Sequence, residues 1–188
     1  MPDQYVVDFV HRHELHPGVT GVTATARPPL FVEYALVSSH SPWSLQPRIV
    51  DDWDRLRDGG AIFNDLPPVR YAVTWSNLQV GGDAYVTSLI YDLEVLRRYL
   101  VERIDDDALV IILGDHQPSA EVTGNTPSHG VPIHIISREA SFIQRFSTAG
   151  YVPGMRVPLP HRQLPMESFL EQLLTLFSTP SAGGGNAR

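Results

Sequence analysis

The sequence predicts an α/β sandwich, in which helices flank a largely parallel or mixed sheet. Three observations support this fold class: a long amphipathic helix over 83–104, apolar segments of strand length after it, and two further helical segments near the end of the chain. The order helix, strand, loop, strand, helix is typical of a sheet covered by helices. Because the chain has 188 residues, one domain is expected.

The helix over 83–104 is predicted from the spacing of its apolar residues. They recur every three or four positions, as on one face of an α-helix: Val86, Leu89, Ile90, Leu93, Leu96, Leu100 and Ile104. We therefore expect this face to pack against the core. The same periodicity predicts helices over 140–148 and 166–176.

Two apolar segments, Ala108–Leu113 and Val131–Ile136, have the length of strands. They lack alternating polar residues, which is expected when both faces of a strand are covered. A third strand is predicted over 31–37, where β-formers lead into the turn-forming segment Ser38–Trp43. That segment is therefore expected to form an exposed loop.

The two ends of the chain have no clear periodic pattern. Residues 1–30 follow neither the helical nor the strand period, and they are expected to be irregular. Residues 178–188 are small and polar with three consecutive glycines, a composition that predicts disorder. The predicted domain therefore spans 31–177.

The composition excludes several classes of site. The formal net charge is −7 and the 14 Lys and Arg residues are scattered, so nucleic acid is not an expected partner. Cysteine is absent, which excludes disulfides and Cys-ligated metals and leaves His, Asp and Glu as metal ligands. No signal or membrane-spanning segment is visible, and the cellular compartment stays open.

Asp115 and His116 directly follow the predicted strand Ala108–Leu113. Ligand sites in open α/β sheets lie at the carboxyl ends of strands. A carboxylate and an imidazole on adjacent residues can bind one divalent ion if the backbone turns, which Gly114 permits. In the alternative interpretation, Asp115 caps the next turn and His116 lies in solvent.

Two further histidines lie near the second strand. His129 precedes that strand, and the loop after His116 is short enough to return His129 to the same pocket. His134 lies among isoleucines within the strand, and a structural, hydrogen-bonded role is expected for it.

The predicted loop Ser38–Trp43 contains one more candidate. His40 either donates to an anionic oxygen in a cleft or is an ordinary loop histidine, with Trp43 as a packing anchor. Three N-terminal histidines do not fall on one helical face and are interpreted as solvated: His11, His13 and His16.

These segments together resemble the C-terminal portion of the sulfatase-like branch of the alkaline phosphatase superfamily, nearest to lipoteichoic acid synthases and phosphoglycerol transferases. The resemblance rests on four segments in order: Ser38–Trp43, Tyr91–Arg98, Gly114–His116 and Ser128–Pro132. It covers residues 30 to 177.

The resemblance implies a divalent metal, Mn²⁺, Mg²⁺, Zn²⁺ or Ca²⁺, and a phosphate or sulfate ester as substrate. In that family the metal activates a Thr, Ser or formylglycine nucleophile. Asp115 and His116 are then metal ligands, His129 is a second metal ligand or a contact to substrate oxygens, and His40 binds the phosphate or sulfate.

The resemblance also implies an N-terminal half that supplies the nucleophile, often with a membrane anchor. We expect the activity to be incomplete here, with that half or a membrane-anchored partner supplying the nucleophile. The threonines near the N-terminus lack the family pattern: Thr20, Thr23 and Thr25. One alternative is a non-catalytic remnant that serves packing or partner binding. Another is a small complete metallohydrolase that recruits Glu33, Glu121 or an N-terminal histidine.

Overall fold

A computed structural model describes residues 1–17, 29–70, 78–124, 129–156 and 163–178. Within these ranges the chain is mixed α/β, as the sequence predicts at the coarse level. It divides into two compact units, one of Met1–Ile104 with Ser119–Gly124 and one of Asp105–Pro118 with Asn125–Arg188. Among the described helices, none is both long and apolar enough to cross a membrane.

The first unit is mainly helical. Its elements are α1 (Asp3–Val10), a π-helical turn (His11–Leu15), β1 (Leu45–Gln46), a 3₁₀ turn (Trp53–Leu56), α2 (Ile62–Asp65), β2 (Val69–Arg70), α3 (Leu78–Glu102) and α4 (Ala120–Thr123). β1 and β2 pair antiparallel. One cluster forms the core: Val7, Val50, Trp53, Leu56, Ile62, Tyr91, Val95 and Tyr99.

Helix α1 corrects the expectation that residues 1–30 are irregular. The buried residues of α1, together with His11 at the start of the π-helical turn, have helical spacing, but most of them are polar: Asp3, Gln4, Val7, Asp8 and His11. Gln4 pairs through its amide with the backbone of Val50, at 2.7 and 2.8 Å. Asp8 binds Arg12 and Arg103. Because each buried polar group has a partner, a polar face can replace the usual apolar one.

Helix α3 confirms the predicted helix, but the predicted buried face is wrong. The buried residues are Ala84, Ser88, Tyr91, Asp92, Val95 and Tyr99. Of the seven apolar residues used for the prediction, four are exposed by 38 to 59 %: Val86, Leu89, Ile90 and Leu93. The other three are half-buried, and Ile104 packs against the core. Two sides of α3 show the helical period, one with two tyrosines and one with the leucines. Packing buries the side with the tyrosines.

The strand expected over 31–37 is also a correction. This segment is extended, with alternating exposed and half-buried residues, but it has no strand partner in the described part of the chain. The backbone amides of Val37 and Ser38 instead donate to the buried carboxylate of Asp3, at 2.7 to 3.2 Å. A side chain therefore satisfies the donors that a neighbouring strand would otherwise accept.

The second unit contains β3 (Val110–Leu113), β4 (Ile133–Ile136), α5 (Ala140–Thr148) and α6 (Ser168–Ser178). β3 and β4 pair antiparallel, with Val110 opposite Ile136 and Leu113 opposite Ile133. The expectation that both faces of these strands are covered is wrong, because their residues are half-buried and Leu113 is 44 % exposed. Within the described residues both strand pairs are antiparallel.

The helices of the second unit confirm the periodicity near the end of the chain. α5 has the predicted bounds, and α6 begins two residues later than predicted. Phe177 of α6 packs on Phe142 and Phe146 of α5, with ring centroids 5.5 and 6.0 Å apart. The predicted disordered tail lies, after Ser178, outside the described residues.

Candidate metal centre

Gly114 positions the candidate residues by close backbone approach. Its amide donates to the carbonyl of Pro132 at 3.4 Å, one step beyond the β3–β4 pairing. A Cβ at this position would lie 3.2 Å from Cβ of Val131. The glycine therefore lets the end of β3 approach the entry to β4, and the next residue leaves the strand at a fixed point.

Asp115 and His116 form a local pair at the end of β3. The Asp115 Oδ1 accepts the backbone amide of His116 at 2.9 Å, and its Oδ2 lies 3.4 Å from His116 Nε2. Both side chains are exposed, Asp115 by 88 % and His116 by 71 %. The pair therefore combines two predicted features, since Asp115 caps the local backbone and also faces the imidazole.

The hydrogen bond on the other side of the His116 ring fixes its protonated nitrogen. Nδ1 lies 2.7 Å from the carbonyl oxygen of Gln117. A carbonyl only accepts, so Nδ1 carries the hydrogen, and in the neutral ring Nε2 presents its lone pair beside Asp115. Histidines that bind metals commonly donate their second nitrogen to a backbone carbonyl in this way.

The separation of the two ligand atoms fits a divalent ion. Two ligands each about 2.1 Å from a tetrahedral ion lie about 3.4 Å apart, and in octahedral geometry they lie about 3.0 Å apart. Asp115 Oδ2 and His116 Nε2 are 3.4 Å apart. The same distance lies within the range of an ion pair between a carboxylate and an imidazolium, so it does not by itself indicate a metal.

The loop after β3 is tied to the segment that contains His129. The side-chain amide of Gln117 donates to the carbonyl of Gly130. This bond joins the residue after His116 to the residue after His129, which is itself exposed. The local fold thus brings the two segments of the predicted half-site together.

No group of three or more His, Asp or Glu side chains converges as a metal cage in the described ranges. Glu33 belongs to the first unit, and the side chain of Glu121 lies outside what is described. Thr20, Thr23 and Thr25 fall within 18–28, also outside the described residues. Within the described ranges, Asp115 and His116 are therefore a pair of exposed candidate ligands without a third side chain beside them.

His134 and His40 occupy different environments. His134 is half-buried in β4 opposite Ile112, within the strand as expected. His40 is exposed, and its Nδ1 lies 2.8 Å from the carbonyl of Ser41, which leaves Nε2 facing outward.

Trp43 anchors the end of the loop that contains His40. It is 8 % exposed, packs on Tyr85 with ring centroids 5.4 Å apart, and donates to the carbonyl of Ser39 at 2.7 Å. Its φ of 52° is unusual for a side chain of this size. Trp43 therefore has the packing role that the alternative interpretation of this loop gave to it.

The sequence analysis missed His11 and two buried carboxylates, Asp3 and Asp92. His11 is 8 % exposed and lies 3.2 Å from the Tyr99 hydroxyl, so the solvated interpretation is wrong for it. Asp3 and Asp92 are 1 and 4 % exposed. A search for polar residues at helical spacing would have identified Asp3. It would not have identified Asp92, because the residues beside Asp92 in the sequence are apolar.

Comparison of the chain with protein-family models, with curated proteins and with solved structures gave no match.

Proposed function

We propose that this chain is a sulfatase-like, metal-dependent hydrolase or phosphotransferase domain that acts on phosphate or sulfate esters. Asp115 and His116 provide one side of the metal site. The observation that carries the proposal is the position of His116 Nε2, 3.4 Å from the Asp115 carboxylate, with Nδ1 held by the Gln117 carbonyl. The family itself is proposed from the order of its four motifs along the chain.

The finer fold class belongs to the same proposal. In an alkaline-phosphatase-like sandwich, β3 and β4 would be part of a larger parallel or mixed sheet flanked by helices. The described antiparallel pair supports only a mixed sheet among these choices. Gly114–His116 would then occupy the strand end at which α/β folds bind ligands.

The residues divide into two roles. Asp115 and His116 would hold Mn²⁺, Mg²⁺, Zn²⁺ or Ca²⁺, and His129 would be a further ligand or bind a substrate oxygen. His40, which belongs to the first unit, is the residue that the resemblance assigns to the phosphate or sulfate. A bound metal would supply positive charge to the ester oxygens. No residue of this chain is assigned as the nucleophile.

The metal site is tested by thermal unfolding of the chain with and without Mn²⁺, Mg²⁺ or Zn²⁺. An ion that binds only the folded state stabilises it, by about 2.7 kcal/mol at an ion concentration of 100 times Kd. This stabilisation raises Tm. We expect a rise in the parent chain and its loss in Asp115→Asn and His116→Gln. Asp107→Asn is the matched control, because Asp107 is exposed and lies on the same unit before β3.

Two outcomes contradict the metal proposal. One is a Tm that no metal changes, and the other is a rise that survives in both Asp115→Asn and His116→Gln. Hydrolysis of p-nitrophenyl phosphate by the chain alone, lost in His116→Gln, would instead support the complete small metallohydrolase.

A second candidate function, a non-catalytic packing or partner-binding module, is favoured by a different observation. The exposed face of α3 includes Val86, Ile90 and Val101, which are 52, 59 and 62 % exposed. An apolar stripe on a helix surface favours association because contact removes it from water. This candidate predicts self-association that does not depend on metal.

A further inference from the structure

The exposed face of α3 has the residue spacing of a helix that pairs with another helix. Five exposed residues follow one another in alternating steps of three and four: Asp83, Val86, Ile90, Leu93 and Arg97. The three apolar ones, Val86, Ile90 and Leu93, are 52, 59 and 48 % exposed. Such steps place side chains on one narrow stripe, the pattern by which two helices form a seam. We call these five residues the α3 stripe.

The first unit buries the opposite side of α3. The buried residues of this helix are Ala84, Ser88, Tyr91, Asp92, Val95 and Tyr99. Three of them, Tyr91, Val95 and Tyr99, belong to the core cluster. At 3.6 residues per turn, Ile90 of the stripe and Val95 of the core differ by about 140° around the helix axis. The described part of the first unit therefore packs on one side of α3 and leaves the stripe to solvent.

The two charges at the ends of the α3 stripe favour a second copy of α3 as its partner. Asp83 comes seven residues before Ile90, and Arg97 comes seven residues after it. Seven residues are almost two turns, so the three side chains share one direction and follow at intervals of about 10.5 Å along the axis. When two copies of α3 pair antiparallel about Ile90, Asp83 of each copy lies level with Arg97 of the other. A parallel pair would instead oppose like charges, which costs free energy.

The apolar residues of the α3 stripe also match in the antiparallel arrangement. Val86 precedes Ile90 by four residues and Leu93 follows it by three. Both therefore lie on the same side of Ile90 around the helix axis, by about 40° and about 60°. A two-fold axis perpendicular to the helices keeps that side and reverses the chain direction. Val86 of one copy thus lies beside Leu93 of the other, at levels that differ by about 1.5 Å.

Arg97 retains donors for a carboxylate of a second chain. Its Nε and Nη2 donate to Glu94 of the same helix at 2.7 and 2.8 Å, and a guanidinium has further N–H groups. The Arg97 side chain is 58 % exposed. Because exposed ion pairs add little to affinity, the apolar residues supply the attraction and the ion pairs select the direction.

We propose that the α3 stripe is the interface of a homodimer, in which α3 packs antiparallel on α3 of a second copy about a two-fold axis at Ile90. The proposal rests on the second candidate function, a partner-binding module, and identifies the partner as another copy of this chain. It does not depend on the proposed metal ligands Asp115 and His116, which belong to the other unit.

The test is disulfide trapping, which is specific here because the chain contains no cysteine. Equal amounts of the Asp83→Cys and Arg97→Cys chains are mixed and oxidised with glutathione disulfide, and covalent dimers are identified by peptide mass spectrometry. We expect a disulfide between the two variants, while Arg97 of the first still pairs with Asp83 of the second. Either variant alone should form none, because its two thiols would be about 21 Å apart along the axis, well beyond the reach of a disulfide.

A mixture of Asp65→Cys and Arg97→Cys is the control, since Asp65 is exposed at the end of α2. Disulfides within each stripe variant alone, with none between the variants, would indicate a parallel pair and overturn the proposal. A stripe mixture that reacts no more than the control would mean that a second copy does not cover the stripe. Sedimentation velocity of the parent chain separates the two failures: continued association leaves the second candidate function through another surface, whereas a monomer contradicts both.

Charge reversal is a second test that needs no disulfide. Asp83→Arg places two positive charges level with each other in the antiparallel dimer. At low salt we expect its dimer Kd, measured by sedimentation equilibrium, to be about tenfold higher than that of Asp65→Arg, which changes the net charge equally. Addition of Arg97→Asp to Asp83→Arg reverses both charges and should restore the parent Kd. Equal Kd values for Asp83→Arg and Asp65→Arg, or no recovery in the double variant, would contradict this register.

Discussion

At the scale of single residues, the candidate metal centre depends on two short contacts: the pair formed by Asp115 and His116, and the approach of Gly114 to Val131. Asp115 and His116 are highly exposed, so their arrangement costs little and adds little to stability. Gly114 is different, because its contact with Val131 is between backbone-proximal atoms that cannot turn away. The geometry of the pair therefore depends more on the glycine before it than on the bond within it.

Replacement of Gly114 by Ala tests this dependence. The new Cβ would lie 3.2 Å from Cβ of the β-branched Val131, so the two strand ends must separate. We expect a loss of about 1–2 kcal/mol, measured by urea unfolding. Gly82→Ala in α3 is the matched control: no atom lies within 4 Å of its Cβ position, and a gain of about 0.5–1 kcal/mol is expected. Equal effects of the two substitutions would contradict a steric role for Gly114.

At the scale of elements, α1 and α3 explain which parts of the fold the sequence could predict. The apolar periodicity is sufficient to place α3 and α5, because long segments of period 3.6 have few competing structures. It is insufficient to choose the buried face of α3, where Ser88 and Asp92 lie inside and Ile90 outside. Hydrophobicity describes each side chain separately, whereas the buried face of α3 depends on which of its residues pack against α1.

The candidate site shows the same limit. Asp115 and His116 are adjacent in sequence, so their contact could be predicted from the end of the strand. The carboxylate of Asp3 and the backbone amides of Val37 and Ser38 come together only through the tertiary fold, and nothing local to either segment indicates it. Long-range pairs of polar residues are therefore the part of a site that one sequence conceals.

Helix α1 provides a prediction about its polar face. Gln4 donates to the carbonyl of Val50 and accepts its amide, and both residues are almost fully buried. Gln4→Leu keeps the volume but leaves both backbone groups without a partner, at on the order of 1–3 kcal/mol each. We expect urea unfolding to show a loss of about 2–4 kcal/mol, whereas Gln144→Leu on the exposed side of α5 should change stability by less than about 0.5 kcal/mol. A small effect of Gln4→Leu would mean that water replaces the glutamine.

At the scale of the whole molecule, charge and apolar surface act in opposite directions. The net charge of −7 makes copies of the chain repel each other at low salt. The exposed residues of α3 attract, because Ile90 and Leu93 lie one turn apart on a single stripe. Salt screens the first effect within about 10 Å at 0.1 M and leaves the second in place. Association should therefore increase with ionic strength.

Sedimentation velocity over a range of protein and salt concentrations tests this balance. We expect the parent chain to form larger species as either concentration rises, and Ile90→Glu with Leu93→Glu to stay monomeric. Because both side chains are about half exposed, 59 and 48 %, the double variant should change the free energy of unfolding by less than about 1 kcal/mol. Val152→Glu is the control, since Val152 is 53 % exposed but lies outside any helix or strand, and it should associate like the parent. A parent chain that stays monomeric at high salt would contradict the self-association that the partner-binding candidate predicts. The metal proposal would then be the candidate function that is still to be tested.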